Sequence, residues 1–322
     1  MKRVFLYEYL SAGGLVDGDE AATNELLAMG LAMRSALEAD LRQVEDVVLT
    51  VACSARTPPP STDAATALPM LGETPWQFVA RQADGHDFTW VVAPETGGLL
   101  ERISRGVDPA RWIGCDADAI HLTTGKRATL KRLSEQGVAT PLAFEHWPEI
   151  DRWVVKPDDG AGAVATRLHT SQDEAWDDWA QRSRQGMAMS LEPWVVGEPM
   201  SLSLLCSEEG AEVLSVNRQH ILVDGDGVVR YEGVKPHIMS QADPRMRTLR
   251  TMASQVARHI PGLRGFVGVD LVWHPQCGPV LIEVNPRVTC AYVGLSRALG
   301  RHLAADIIVA HQHDHRDAHA RH

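Results

Sequence analysis

Short apolar runs alternate with amphipathic stretches from the first residues onward. "RVFLYEYL" (3–10) reads as a strand and "VVLTVAC" (47–53) as a buried one. Between them "TNELLAMGLAMRSALEAD" (23–40) keeps Leu26, Met29, Met33 and Leu37 on one stripe, the period of a helix. Strand, helix and strand in that order form the β-α-β unit that builds parallel sheets. "SARTPPPSTDAATALP" (54–69) reads as a mobile loop, and "FTWVVAPE" (88–95) as a further strand ending at proline. Residues 1–114 thus predict an open α/β domain.

The pattern then changes. "TTGKRATLKRLSEQGVATP" (123–141) is a loop followed by a basic helix that stops at Gly137. "DRWVVKPDDGAGAVAT" (151–166) is a strand running into a Gly-rich turn and out again. Ser171 and Glu174 form a capping box for a helix carrying Trp176 and Trp179 on one face. Strands are expected within 187–206 and 212–223. Asp243 with Pro244 opens a helix through about Ile260. "GFVGVDLVW" (265–273) and "GPVLIEV" (278–284) are strands joined by a tight turn, and a helix over 295–310 repeats Leu295, Leu299 and Leu303. Residues 115–310 make a second domain, with a flap subdomain at about 140–195, and the His-rich segment 311–322 is expected to be a frayed, flexible tail.

Composition narrows the functions open to such a chain. Its 322 residues carry a formal net charge of −11, which argues against a general nucleic-acid or anionic-membrane binder. Cys53, Cys115, Cys206, Cys277 and Cys290 are scattered with no C-x-x-C pair, so a reducing cytoplasm is the expected compartment. No run approaches the roughly 18 apolar residues of a membrane span. The five histidines of the tail (His311, His313, His315, His319, His322) have no fixed spacing for a metal site.

Candidate chemistry begins at "VLIEVNPRVT" (280–289), where Glu283, Asn285 and Arg287 alternate and should share one strand face. If 265–273 and 278–284 pair as a hairpin, Asp270 lies opposite Ile282 or Glu283, within one register step. Asp270, Glu283 and Asn285 then offer only oxygen donors, the set that Mg²⁺ prefers. The alternative is a pair of carboxylates at a solvated edge, with Arg287 as their salt-bridge partner. Lys156, followed by Gly160 and Gly162, places a positive charge before a turn whose backbone can approach phosphate. An ordinary glycine hairpin accounts equally well for that motif alone. In "LEPWVVGEP" (191–199), Glu192 and Glu198 flank an apolar stretch that suits adenine, or else a strand bend at Pro193 exposes both. Lys126 opens a helix, where it either meets phosphate or is simply solvated.

Taken in order, Lys126, "VVKP" with its Gly-rich flap, "EPWVVGE", "GVDLVW" and "LIEVNPR" resemble the ATP-grasp superfamily over roughly residues 115–310. The most specific part is Asp, twelve residues, then E-x-N-P-R. One departure is Gly125, where the superfamily usually has an acidic residue before the lysine. "FLYEYLSAGG" is similar to the opening of tyramine–glutamate ligase-like proteins of methanofuran-type cofactor biosynthesis, including relatives in methylotrophic bacteria.

The resemblance implies roles. Lys126 and Lys156 contact ATP phosphates, with Gly160 and Gly162 in the flap; Glu192 frames adenine and Glu198 the ribose. Asp270 and Glu283 hold one Mg²⁺, Glu283 and Asn285 share a second, with Mn²⁺ as an alternative ion, and Arg287 faces the transferring phosphate. The implied activity is an ADP-forming carboxylate–amine ligase working through an acyl phosphate, with small-molecule substrates, glutamate among the expected acids, and room for a homodimer. His220 is a candidate base for the amine, with Asn217 and Arg218 weaker candidates near the acid. A nucleotide-binding sensor or degenerate enzyme without ligase turnover is the competing reading.

Overall fold

A computed structural model describes residues 1–14, 20–60, 64–160 and 162–320. The first part contains β1 (Lys2–Glu8), α1 (Glu20–Leu41), β2 (Val47–Ala52), β3 (Ala65–Ala67), α2 (Pro75–Asp84), β4 (Phe88–Val92), α3 (Leu99–Arg105) and β5 (Trp112–Ile113). The strands form one parallel sheet in the order β3-β2-β1-β4-β5. Central β1 is apolar on both faces because both are covered. Phe5 and Tyr7 pack with Phe78 and Val79 of α2, and Val4 and Leu6 pack with Met33, Leu37 and Leu41 of α1.

The second part comprises α4 (Ala117–Thr124), α5 (Lys126–Glu135), β6 (Trp153–Pro157), β7 (Arg167–His169), α6 (Gln172–Arg184), β8 (Met189–Pro193), β9 (Glu198–Ser207), β10 (Gly210–Val223), β11 (Val229–Lys235), α7 (Met246–His259), β12 (Gly265–His274), β13 (Gly278–Asn285), α8 (Leu295–Leu299) and α9 (Leu303–Ala320). A five-stranded antiparallel sheet runs β11-β10-β9-β12-β13, and a small sheet, β7-β6-β8, carries α6. Met246, Leu249, Met252 and Val256 of α7 cover one face of the larger sheet against Met200, Leu202, Val269 and Leu271. The opposite face carries Ser201 and Asp270 on adjacent strands. Helix α9 returns to the parallel sheet, packing Leu303, Ile307 and Ile308 beside Ile113 and Phe266.

Several expectations change. The helix expected over 295–310 breaks at Gly300, whose φ of 62° ends α8 and lets the chain restart as α9. The tail is not frayed at 311: α9 continues to Ala320, and His311 is buried, its Nε2 3.0 Å from the Ala110 carbonyl and its ring edge-on to Phe88. Asp243 does not cap the first turn of α7, which begins at Met246. Its carboxylate instead accepts from the Arg245 N–H at 2.9 Å. The loop at 54–69 contains the edge strand β3. Helix α2 was not expected, although Thr74, Pro75 and Gln77, which form a complete capping box with proline in the first turn, were a signal for it. No helix among the described residues is long and apolar enough to cross a membrane.

Candidate active site

The site grows from the β12–β13 hairpin. From its turn the pairs run His274 with Gly278 up to Leu271 with Leu281, a register that would set Asp270 opposite Ile282. A β-bulge then inserts one residue, and Asp270 pairs with Glu283 instead. The inserted residue lets Ile282 and Glu283 both leave the α7 face. Ile282 joins Val272, Val280, Phe144 and Val195 in an apolar wall, while Leu281 and Val284 remain in the α7 core. An apolar wall therefore abuts a carboxylate pair on one sheet face.

The two carboxylates affect each other. Burial and the Glu283 charge push the Asp270 carboxyl up to about 7, against hydrogen bonds from Asn285 and Gln219 and the Arg287 charge. Asn285 Nδ2 donates to Asp270 Oδ2 at 3.2 Å and Gln219 Nε2 to Oδ1 at 2.8 Å. Gln219 was not expected here. Its neighbour His220 was, but alternation along β10 turns His220 to the other face, where it is exposed. Asn217 is also spoken for: Ser215 donates to its Oδ1 at 2.7 Å, and its Nδ2 donates to Ser201 and Ser203.

Cations close round the pair. The Lys126 ammonium is buried 3.0 Å from Glu283 Oε1 and donates to the Gly160 carbonyl. Burial opposes its charge, but Glu283, with Glu95 and Asp158, outweighs that and holds its pKa above the ordinary lysine value. Gly125 supplies no capping side chain to α5. Asp158, from the flap, takes that place: its Oδ1 accepts from Arg127 N–H at 2.9 Å and its carbonyl from Lys126 N–H at 3.0 Å. In the flap Gly162, Ala163 and Ala165 have φ of 70°, 60° and 54°, so two alanines carry the strain of left-handed backbone.

Lys156 lies 3.0 Å from Glu192 Oε2, both buried, and Ser190 Oγ donates to the other Glu192 oxygen at 2.7 Å. Arg287 forms a bidentate pair with Glu95, Nε to Oε1 and Nη2 to Oε2 both at 2.9 Å. Glu95 leaves the end of β4, so this pair ties the parallel domain to the hairpin. No short-range sequence signal connects residues 192 apart. Glu198 stands elsewhere. It lies across from Trp273 and shares a strand face with Met200, whereas Ser201 lies across from Asp270. Its carboxylate pairs with Arg218 and, at 3.4 Å, with Arg245.

Among the described residues no three His, Cys, Asp or Glu side chains gather as a metal cluster. Two carboxylates beside an amide nevertheless fit a hard divalent cation, which prefers oxygen donors. Burial first and the Glu283 charge second raise the Asp270 pKa, and a bound cation would oppose both.

Comparison with known families agrees with this geometry. The ATP-grasp domain family matches residues 123–291, just over half of the chain. The chain belongs to the ATP-grasp family. A pre ATP-grasp domain family matches residues 47–120. Similar solved structures include an ATP-grasp superfamily protein from Archaeoglobus fulgidus, with 20% identity, TM-score 0.67, and 96% of this chain and 89% of that one covered. D-alanine–D-alanine ligase from Bacillus anthracis complexed with ATP is 14% identical, with TM-score 0.64 and coverage of 99% and 100%. L-amino acid ligase from Bacillus licheniformis is 14% identical, with TM-score 0.65 and coverage of 96% and 73%. No curated protein sequence matches the chain. The ATP-grasp fold is thus common to this protein and to ligases of amino acids.

Proposed function

We propose that the protein is an ATP-dependent, ADP-forming ligase that joins a carboxylic acid to an amine. The observation that carries the reading is the bulged hairpin, which sets Asp270 opposite Glu283 with Lys126 on the pair and Arg287 within its field. The ATP in the structure of the D-alanine–D-alanine ligase relative adds support.

Each cation of the site is already held by a carboxylate: Lys126 by Glu283, Lys156 by Glu192, Arg287 by Glu95. These pairs hold the side chains extended at little further entropy cost when phosphate arrives. Lys126 and Lys156 then neutralise the phosphate chain, and Val272 and Ile282, the partly exposed members of the apolar wall, face the base. Asp270, Glu283 and Asn285 would hold Mg²⁺, which when bound supplies charge to the bridging phosphate oxygens. The acid's carboxylate oxygen attacks the γ-phosphorus, and the bond to the β-bridging oxygen breaks to release ADP. Arg287, oriented by Glu95, balances the charge on the transferred group. The amine nitrogen then attacks the acyl carbon, phosphate leaves, and the amine loses a proton. The flap over Gly160 keeps water from the acyl phosphate. Glutamate and an aromatic amine such as tyramine are the first pair to test, given the resemblance of the opening segment.

Purified protein with ATP, Mg²⁺, glutamate and an amine panel is expected to release phosphate only when both substrates are present, and Glu283→Gln to abolish that release. Equal phosphate release with and without substrates, or full activity in Glu283→Gln, overturns the assignment.

A further inference from the structure

The flap carries charge of the wrong sign for a segment that meets phosphate. Asp158 and Asp159 follow β6 directly, between Lys156 and the glycines of the turn. Two carboxylates there would repel a phosphate chain unless other groups hold them. Asp158 is held at the N-terminus of α5, where it accepts from Arg127 N–H. Asp159 reaches instead into the parallel domain: its Oδ2 accepts from Gly97 N–H at 2.8 Å, a contact between residues 62 apart in sequence.

Gly97 lies in the turn that carries Glu95. After β4, Thr96–Gly98 make one turn of 3₁₀ helix with Glu95 at its start, and the Glu95 carbonyl accepts from Gly98 N–H at 2.9 Å. Gly97 and Gly98 are both left-handed, with φ of 63° and 68°, and a Cβ on either would meet nothing within 4 Å. Backbone conformation, not lack of room, therefore calls for glycine here. Two adjacent glycines have the most freedom to lose on ordering, so this turn needs an anchor from outside. Glu95 gives its carboxylate to Arg287 and Gly98 has no side chain, so neither caps the helical turn that it precedes. Asp159 is the anchor.

Three consecutive flap residues thus reach both cations of the hairpin site. The Gly160 carbonyl accepts from the Lys126 ammonium, and Asp158 holds the backbone of Lys126 and Arg127. Asp159 holds the turn whose Glu95 forms the bidentate pair with Arg287.

We infer that Asp159 is a positioning residue for Arg287, acting through Gly97 and Glu95, so that the guanidinium is in place only while the flap lies against the parallel domain. The inference rests on the ligase reading, which puts Arg287 at the transferred phosphoryl group. Phosphoryl transfer is then confined to the covered site, where water cannot compete for the acyl phosphate. Direct contact of Asp159 with the nucleotide or its cation is the competing role. It predicts a raised KM for ATP and no rescue by an amide.

The test compares the full-length wild type with Asp159→Ala, Asp159→Asn, Glu95→Gln and the double variant Asp159→Ala/Glu95→Gln. Hydrogen exchange in the ligand-free protein, read by mass spectrometry over residues 93–105, reports on the turn itself. Asp159→Ala should exchange there at least about 3-fold faster than the wild type. Asp159→Asn, whose amide oxygen accepts the same N–H, should stay close to the wild type. In steady-state assays with an acid and amine that the wild type joins, Asp159→Ala should lower kcat about 3- to 10-fold while KM for ATP changes less than about 2-fold. Asp159→Asn should restore most of kcat. On the Glu95→Gln background, Asp159→Ala should cost less than about 2-fold more, because the route to Arg287 is already cut. Unchanged exchange in the turn, an Asn variant as slow as the Ala variant, or losses that multiply in the double variant overturn the inference while the ligase reading stands. If the wild type releases no phosphate with any acid and amine, the ligase reading falls and takes the inference with it.

Discussion

Asp270→Asn separates the cost of the carboxylate pair from its use. In the native protein the Asp270 carboxyl titrates at about 7 rather than 3.8, chiefly from burial and then from Glu283. Below about pH 4 native and unfolded chains are both protonated there, and the shift has no effect on stability. Between about 4 and 7 the unfolded chain releases a proton that the native state keeps, so wild-type stability falls as pH rises. Above 7 the native carboxyl ionises as well and the penalty levels off. Linkage gives a loss of up to about 2.5 kcal/mol between pH 5 and pH 8 from this group. Partial access to solvent brings the expected value to about 1–2 kcal/mol.

An amide in place of the Asp270 carboxyl cannot titrate, so the variant should lack this slope. Whatever its stability at pH 5, it should gain about 1–2 kcal/mol on the wild type by pH 8, or roughly 2–6 °C in melting temperature. Calorimetric melts of both proteins at pH 5 and pH 8 measure it. Mg·ADP should shrink the difference, because a bound cation removes the repulsion in the wild type. The same variant should release no phosphate. A stability difference that is equal at the two pH values, or one that moves the other way, refutes the argument that burial and the Glu283 charge keep the Asp270 carboxyl protonated up to about pH 7.

Two other pairs respond differently. Glu192→Leu leaves the Lys156 ammonium buried without its partner and should cost about 3–5 kcal/mol in a denaturant titration, while the double variant with Lys156→Met recovers most of it without recovering activity. Glu95→Gln removes the anion that orients Arg287 and should lower kcat at least about 10-fold with a smaller change in KM for ATP, as steady-state kinetics would show. An unchanged kcat there means that Arg287 finds its position without the parallel domain.

Much of this site was legible because its chemistry lies in local pattern. Alternation in "VLIEVNPR" placed Glu283 and Asn285 together, and the short turn brought Asp270 within one step of them. The step itself was not legible: a simple continuation of the hairpin puts Ile282 opposite Asp270, and only the bulge gives Glu283 that place. Gln219 was missed for a related reason. A candidate histidine stood beside it, and the face each residue takes depends on how β10 sits against β9 and β12. Glu95 needed the fold of both domains, since its partner lies 192 residues away. The same holds for Asp158, which caps a helix whose Arg127 precedes it by 31 residues. Glu198 was read from spacing alone, which does not show that its carboxylate pairs with Arg218 and Arg245. The break at Gly300 and the burial of His311 depended on where α9 docks, which leucine spacing along one helix does not reveal.

The most direct test of the central claim is a calorimetric titration of ATP into the wild type, Asp270→Asn and Glu283→Gln, each with and without Mg²⁺. Tight binding by the wild type that depends on Mg²⁺, weakened about 10-fold or more in both variants, is the predicted result. Equal binding of Mg·ATP by all three proteins, or none by the wild type, contradicts it.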